Sequence, residues 1–312
     1  MTDLSIIILN YKTKKLTLDC INSVVKNSKG ISLEIIVIDN ASNDGSVEAL
    51  RRSIKRLSSQ VGIMAKLIVN KENLGFAKAN NQGMGIAGGN YILLLNSDTL
   101  VHDNVLGEML EWMRKHPKVG AATCALRNKD GSLQGTGGYF PTLLRVFSWM
   151  FFLDDIPILD KIIKPFHPMH GQSPFYKGTK YYLTRKEIDW ITGAFMLIRK
   201  KALKDVGAFD EDYFMYSEDT DLCYRIKNAG WEIWYLPDWG ITHLGGASST
   251  SMYPILSEYE GVKLFYKKNV PFWQFPVLRV FLKSGALLRM FILGIIKDGE
   301  VIKTYAKAFK IA

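Results

Sequence analysis

The stretch that decides the fold is Tyr91-Ile92-Leu93-Leu94-Leu95-Asn96-Ser97-Asp98-Thr99. Five apolar or aromatic residues run directly into oxygen-bearing side chains, which predicts a short buried strand ending in a polar turn. Ligands of open α/β sheets bind at the carboxyl ends of the strands, so Asp98 is expected at the edge of a crevice. A carboxylate there favours a divalent cation. The alternative is that Asn96 to Thr99 only cap the following helix.

The first 125 residues alternate between predicted strands and predicted helices. Besides 91–96, strands are predicted at 4–9, 33–38, 65–69 and 119–125, and helices at 14–25, 47–57, 76–85 and 104–115. This alternation is typical of a parallel sheet built from right-handed βαβ units. Three strands end in Asn10, Asp39 and Asn96, so their polar side chains are expected to converge on one crevice.

The loop after the first predicted strand contains no glycine and reads Asn10-Tyr11-Lys12-Thr13-Lys14. A dinucleotide-binding fold needs Gly-x-Gly-x-x-Gly at that place. Gly83-Met84-Gly85-Ile86-Ala87-Gly88 matches the pattern, but it lies late in a predicted helix. The Walker pattern is absent. A bound phosphate is therefore expected to be held through a metal.

The composition is that of a globular protein, with 312 residues, 47% of them hydrophobic and 22% charged. Its three cysteines, at positions 20, 124 and 223, are widely spaced and odd in number, which favours a reducing cytosol without disulfides. No basic segment followed by an apolar run opens the chain, so no signal peptide is expected.

The most acidic cluster of the chain comprises Glu218, Asp219 and Asp221, at the start of a helix predicted to reach about residue 229. One interpretation is structural, since Ser217 is a good helix cap and the helix dipole stabilises carboxylates in the first turn. The other is functional, because neighbouring aromatic rings desolvate carboxylates, raise their pKa and suit a general base. Those rings belong to Tyr213, Phe214 and Tyr216.

Other parts of the second half carry weaker signals. A strand is predicted over 188–200, with a helix at 201–206. His243 ends an apolar run and is a candidate metal ligand beside Asp98. Residues 126–186 are irregular and include the apolar run 147–153; we interpret them as an insertion near an acceptor site, or as a loop that touches a membrane or a partner.

The C-terminal region, residues 251–312, is predicted to be helical and basic, with ten Lys or Arg against four Asp or Glu. Arg279, Lys283, Arg289 and Lys297 are predicted on one helix side, and Val280, Phe281, Leu288, Phe291, Ile292 and Ile295 on the other. The region reads as an interfacial helix on anionic lipid, since no apolar run reaches the roughly 20 residues needed to span a bilayer. Packing against the catalytic domain or a second subunit of a homodimer remains the alternative. Nucleic-acid binding is not favoured, because no basic and aromatic residues interleave on a recognisable module.

As an ordered set, these segments resemble the inverting glycosyltransferases of family 2, which have the GT-A fold. The resemblance spans about residues 3–250 and rests on 7–11, 37–46, 73–81, 93–98, 192–198, 209–211, 216–221 and His243. It implies an α/β fold with a mostly parallel central sheet flanked by helices, plus a C-terminal helical extension. The implied catalytic domain covers residues 1–250, with a nucleotide-sugar-binding half at 1–125 and an acceptor half at 126–250. Residues 251–312 form the basic, amphipathic helical C-terminal region.

The resemblance also implies roles for single residues on the donor side. Asp39 resembles the carboxylate that reads the imide of uracil or thymine. Asn96-Ser97-Asp98 stands where the family has Asp-x-Asp, with Asn in place of the first Asp. Asp98 and His243 resemble ligands of a divalent cation, Mg²⁺ or Mn²⁺. The remaining implied donor contacts are Asn10, Asn73, Lys78, Asn80, Asn96 and Ser97.

On the acceptor side, Asp219 resembles the catalytic base, with Glu218 as a helper or an acceptor contact. Thr192 and Gly193 are implied acceptor residues. Trp190 and Trp231 are candidate platforms for stacking on a sugar, with a place in the core as the alternative.

The variant Asn-x-Asp motif and the Thr-Gly-Ala-Phe segment most resemble the rhamnosyltransferase branch. That branch implies dTDP-L-rhamnose as donor and a lipid-linked or cell-surface glycan as acceptor. It also implies a cytoplasmic protein, peripheral on the inner face of the cell membrane. Two alternatives stay open: another donor such as a UDP-hexose, and a non-catalytic relative that binds nucleotide or glycan.

Overall fold

The computed structural model describes residues 2–156, 158–169, 179–245, 253–296 and 299–312. The strands within these ranges are β1 (Leu4–Asn10), β2 (Leu33–Asp39), β3 (Ile63–Val69), β4 (Tyr91–Asn96), β5 (Thr99–Val101), β6 (Val119–Arg127), β7 (Gly137–Gly138), β8 (Lys186–Glu187), β9 (Trp190–Ile191), β10 (Phe195–Arg199) and β11 (Glu232–His243). The α-helices are α1 (Lys14–Asn27), α2 (Ser46–Leu57), α3 (Gly75–Ile86), α4 (Val105–Lys115), α5 (Leu143–Met150), α6 (Leu159–Ile162), α7 (Lys200–Val206), α8 (Glu218–Asn228), α9 (Tyr253–Asn269), α10 (Gln274–Ile296) and α11 (Gly299–Ile311).

The main sheet has the strand order β3-β2-β1-β4-β10-β6-β11-β5, and β8 also pairs with β11. Strands β1 to β4 pair in parallel, β10 is antiparallel to both β4 and β6, and β11 is parallel to β6. This arrangement confirms the predicted α/β fold with its central sheet flanked by helices. Strands from residues 1–125 and from 126–250 share this one sheet.

Both faces of the central strands are buried. On β1, Ile7 packs into one core cluster and Ile6 and Ile8 into another, because alternate side chains point to opposite faces. Helices cover each face, which is why the strands read as continuous apolar runs rather than as alternating patterns.

The structure corrects two local predictions and shows an irregularity in β11. The predicted strand over 188–200 is two short strands, β9 and β10, separated by a turn at Gly193. Strand β11 continues through Pro237, where its register with β6 shifts between Leu236 and Gly240; an irregularity of this kind accommodates a residue that has no N–H. Residues 96–99 lead into β5 rather than into a helix, so the capping alternative is wrong.

The C-terminal helices pack on the catalytic part of the chain. Leu278, Leu282 and Ala286 of α10 are buried in the same core cluster as Ile7. Among the described residues, no helix combines the length and the apolar character needed to cross a bilayer. The alternative of packing against the preceding part of the chain is therefore confirmed for α10.

Arg289 is not on an exposed basic side of α10, as predicted, but only 4% exposed. Its guanidinium donates hydrogen bonds to the carbonyls of Trp149 (2.6 Å) and Met150 at the end of α5. It also lies 4.5 Å from the ring centroid of Phe152. The last carbonyls of a helix lack intrahelical partners. A cation there donates hydrogen bonds to them and interacts favourably with the negative end of the helix dipole. Lys297 lies outside the described residues.

We expect Arg289→Met to lower the free energy of unfolding by about 2–4 kcal/mol, because two buried carbonyls lose their donor. Urea unfolding followed by circular dichroism measures this. The control is Arg279→Met on the same helix, where the side chain is exposed and donates to the Ala312 carbonyl; we expect a loss below about 1 kcal/mol. Equal losses would contradict the role given to Arg289.

Candidate active site

A cavity of about 550 Å³ opens at the carboxyl ends of β1 and β4 and is closed by residues from the second half of the chain. The first half contributes polar lining residues that follow its strands: Tyr11, Thr13, Asn40, Asn73, Asn96, Ser97 and Asp98. The second half contributes Gln134, Thr192, Gly193, Tyr216, Glu218, Asp219 and His243. The structure thus brings together most, though not all, of the residues expected at the site.

Strand β11 brings His243 next to Asp98. Its antiparallel pairing with β5 sets His243 opposite Thr99, and the Leu244 amide donates to the Asp98 carbonyl at 2.9 Å. As a result, Nε2 of His243 lies 3.3 Å from Oδ1 of Asp98. The side-chain amide of Asn96 lies 3.4 Å from the same nitrogen.

Gln134, which the sequence did not single out, fixes the His243 ring. Its Nε2 donates to Oδ1 of Asn128 (2.6 Å) and to the His243 carbonyl (2.7 Å), so its Oε1 is the acceptor. That oxygen lies 2.7 Å from Nδ1 of His243, so it accepts a hydrogen bond from the Nδ1–H group. In the neutral ring, the lone pair on Nε2 then faces Asp98.

Asp98 and His243 fit a shared cation. Two ligands with metal bonds of about 2.1 Å stand roughly 3 Å apart in a coordination sphere, close to the observed separation. The described part of the chain contains no group of three or more His, Cys, Asp or Glu side chains placed to hold a metal ion, so Asp98 and His243 would be two ligands without a third of these types. The remaining ligands would have to be amide, water or phosphate oxygens, as is usual for Mg²⁺ with phosphate substrates.

Two left-handed residues turn the chain into α8. Tyr216 and Ser217 have φ angles of 72° and 68°. Ser217 makes no capping hydrogen bond through its side chain, so the predicted cap is wrong. Glu218 and Asp219 both line the cavity, whereas Asp221 turns away to Arg225 (2.8 Å) and Asn269.

Burial raises the pKa of both carboxyl groups. Burial raises the pKa of Asp219 to about 6, although its Oδ1 accepts from the Thr220 amide at 2.7 Å and its Oδ2 from the Gly193 amide at 3.3 Å. Burial, followed by the neighbouring Asp219 charge, raises the pKa of Glu218 well above its ordinary value. Oε2 of Glu218 has no hydrogen-bond partner among the described residues. Glu218 therefore keeps its proton under conditions in which Asp219 ionises.

Two donor-side residues lie behind the cavity wall. Asn10 and Asp39 are fully buried, and Nδ2 of Asn10 donates to Oδ2 of Asp39 at 2.6 Å. Oδ1 of Asp39 accepts from the Ser42 amide. Contact between Asp39 and a nucleobase would require the covering residues to move, so that role stays a prediction. Asn40, which was not assigned, lines the cavity and donates to Oδ1 of Asn73 at 2.7 Å.

Neither Lys78 nor Asn80 lines the cavity. Lys78 is exposed, and Asn80 is buried and donates to the Phe76 carbonyl at 2.9 Å. Only the first residues of α3, Gly75 and Phe76, reach the cavity. The two residues lie further along the helix, so their contact with a donor stays a prediction.

The structure also corrects the predictions for both tryptophans. Trp190 is in the core, with its indole N–H directed at the carbonyls of Tyr139 and Phe166. Trp231 donates to Asp205 at 3.0 Å, and it too is absent from the cavity lining. Their large apolar surfaces stabilise the fold, which was the stated alternative. Thr192 and Gly193, by contrast, do line the cavity.

Comparison with known proteins decides the family. A model of glycosyl transferase family 2 matches residues 5–207, which is more than half of the chain. The chain belongs to this family. The resemblance seen in the sequence is thus confirmed, and the protein is a glycosyltransferase.

Two curated relatives are rhamnosyltransferases. The N-acetylglucosaminyl-diphospho-decaprenol L-rhamnosyltransferase of Mycobacterium tuberculosis is 26% identical over 271 residues, covering 82% of each chain. Rhamnosyltransferase WbbL of Escherichia coli is 29% identical over 164 residues, covering 52% of this chain and 55% of WbbL.

Solved structures share the fold. The mannosyltransferase PcManGT of Pyrobaculum calidifontis, in complex with GDP-Man and Mn²⁺, aligns with a TM-score of 0.58 and 16% identity, covering 99% of this chain and 76% of that one. GalNAc-T7 with UDP, GalNAc and Mn²⁺ aligns with a TM-score of 0.60 and 15% identity, covering 99% of this chain and 55% of that one. These likenesses confirm the predicted GT-A fold.

We expect Gly75→Ala to destabilise the cavity wall, because Gly75 has φ +78° and an added Cβ would stand 2.5 Å from the Phe214 carbonyl. The predicted loss is about 1–3 kcal/mol in urea unfolding. Gly85→Ala on the same helix is the control, since its Cβ meets nothing within 4 Å; that change should be neutral or stabilising. A neutral Gly75→Ala would contradict the close packing seen here.

Proposed function

We propose that this glycosyltransferase moves a sugar from a nucleoside diphosphate to a glycan hydroxyl with inversion at the anomeric carbon. The observation that carries the proposal is that the Asp98–His243 pair and Asp219 line the same cavity. The pair could hold a divalent cation, which would neutralise a diphosphate, and Asp219 can accept a proton.

In the proposed reaction, Asp219 accepts the proton of the acceptor hydroxyl. The hydroxyl oxygen attacks the anomeric carbon from the face opposite the leaving diphosphate, which gives inversion. A Mg²⁺ or Mn²⁺ ion, bound by Asp98 and His243, would neutralise the charge that develops on that diphosphate. Glu218, protonated beside Asp219, keeps a second negative charge away from the base. The Gly193 amide orients Asp219 through its hydrogen bond.

On the donor side, we assign Asn40, Asn73 and Ser97 as contacts, because each lines the cavity with a polar side chain. Asn10 and Asp39 support the loop that carries Asn40. The names of two relatives support L-rhamnose, and hence dTDP-L-rhamnose, as the donor. The diphospho-decaprenol in the name of the first relative supports a lipid-linked glycan acceptor and a part in cell-surface polysaccharide synthesis. A place in the cytoplasm at the inner face of the membrane stays a prediction. A homodimer stays a prediction.

The second candidate function is nucleotide or glycan binding without turnover. The alignment of Asp98, His243 and Asp219 around one cavity favours catalysis over this candidate.

We expect Asp219→Asn to lower the transfer rate by about 10²–10⁴-fold, since the amide cannot accept the acceptor proton, while nucleotide binding persists.

In the wild type, kcat/KM should fall about tenfold per pH unit below pH 6, as Asp219, with its raised pKa, becomes protonated.

Glu218→Gln is the matched control for this prediction. Because burial and the Asp219 charge raise the pKa of Glu218 well above its ordinary value, the neutral amide should preserve most of the activity and the shape of the pH profile. If Glu218→Gln abolished transfer while Asp219→Asn remained active, Glu218 would be the base.

Calorimetric titration of dTDP, UDP and GDP, each with Mn²⁺ and with chelator, tests the donor and the metal. We expect tight, metal-dependent binding of dTDP. Preference for UDP would keep the enzyme class and reject the rhamnosyl donor. Absence of binding to all three would favour the non-catalytic candidate.

A separate titration with Mn²⁺ tests Gln134 as the residue that positions His243. Mn²⁺ affinity, measured by electron paramagnetic resonance, should fall at least about tenfold in Gln134→Leu, because the ring loses its orienting acceptor. Asp98→Ala and His243→Ala should lose more. The exposed Gln60, changed to Leu, is the control. Unchanged Mn²⁺ affinity in Gln134→Leu would remove it from the site.

A further inference from the structure

Exposed apolar side chains concentrate in two segments away from the cavity. Of the seventeen large apolar side chains that are exposed in the described part of the chain, ten lie within residues 144–162 and 272–302. They are Leu144, Ile156, Ile158, Ile162, Phe272, Trp273, Val280, Leu287, Phe291 and Ile302. Helix α10 packs against α5, so both segments contribute to one region of the molecule.

The outward side of α10 is apolar. Val280, Leu287 and Phe291 are 60%, 51% and 71% exposed, and their spacing of seven and four residues puts them on one side of the helix. Trp273, 59% exposed, immediately precedes the helix in line with them. We call these four residues the α10 face. From Trp273 to Phe291 the face is about 27 Å long at 1.5 Å per residue.

Such a face is unusual on a protein surrounded only by water. The outward side of a surface helix normally carries polar and charged residues, whereas the inward side of α10 already buries its own apolar set. Large exposed apolar side chains gathered on one side of a helix indicate an interaction site.

Charge beside the α10 face indicates what covers it. Helix α11 packs along α10, with Arg279 donating to the Ala312 carbonyl (2.8 Å) and the Lys283 ammonium 5.4 Å from the Phe309 ring centroid. The exposed side of α11 carries Lys303, Lys307 and Lys310. An apolar strip beside lysines matches a bilayer with anionic headgroups, and two copies of so basic a region would repel one another.

We propose that the α10 face lies in the interface of an anionic bilayer, with the α11 lysines on the lipid phosphates. This rests on the proposed function only in that a lipid-linked acceptor would be presented there. Val280 and Phe291 of the predicted apolar side are exposed, whereas Arg289 of the predicted basic side points inward. Binding is in the plane of the membrane, and the apolar side chains enter the region between headgroups and acyl chains.

Co-sedimentation with vesicles tests the proposal, using phosphatidylcholine alone or with 30% phosphatidylglycerol. The double variant Leu287→Ser/Phe291→Ser should partition into the mixed vesicles at least about tenfold more weakly than the wild type. Lys307→Gln/Lys310→Gln should lose the preference for the anionic vesicles and its dependence on salt. The control is Val61→Ser/Met64→Ser, which removes exposed apolar residues elsewhere and should bind like the wild type.

The vesicles carry neither donor nor acceptor, so this measurement is independent of transferase activity. Nucleotide titration and circular dichroism of each variant check that it folds. Equal binding of the wild type and Leu287→Ser/Phe291→Ser, or absence of wild-type binding, would overturn the proposal. So would a wild-type dimer in analytical ultracentrifugation that Leu287→Ser/Phe291→Ser converts to monomer, since a second copy would then cover the face.

Discussion

The pairing of β11 with two different strands is the constraint on which the site depends. Over its first part β11 runs parallel to β6, and beyond the irregularity near Gly240 it also pairs with the short β5. Backbone hydrogen bonds fix this register, which sets His243 beside the turn after β4. Two side chains 147 residues apart in the sequence, those of Asn96 and His243, are therefore held within 3.4 Å. Without this register neither half of the chain would hold a complete site.

Much of the fold could be predicted because its central strands are buried on both faces. That burial leaves long apolar runs in β1, β2 and β4, and the polar residues after them stand out in the sequence. The order of such segments indicated the family and placed Asp98, Asp219 and His243 at one cavity. Gln134 could not be found in this way. Its contact with the His243 ring depends on how the loop from Asn128 folds back, and no sequence pattern encodes that.

The errors share a physical origin. The local sequence around a tryptophan such as Trp190 does not show whether the side chain packs in a core or stacks on a sugar. Only the tertiary structure distinguishes the two. In α10, both sides of the helix carry apolar residues, so periodicity predicts a helix without choosing its inward side. Arg289 was assigned to the surface because the carbonyls it satisfies belong to α5, a distant segment.

The contact of Gly75 with Phe214 has a consequence for how the two halves communicate. The Phe76 amide donates to the Phe214 carbonyl at 2.7 Å, and Gly75 leaves no space between the two backbones. The start of α3 is therefore in direct backbone contact with the loop that leads to Glu218 and Asp219. Thermodynamic linkage is reciprocal. If a ligand bound on one side of this contact changes the affinity for a ligand on the other side, the second ligand changes the affinity for the first by the same factor. Positive coupling of this kind would favour an ordered kinetic scheme, in which binding at one subsite raises the affinity of the other.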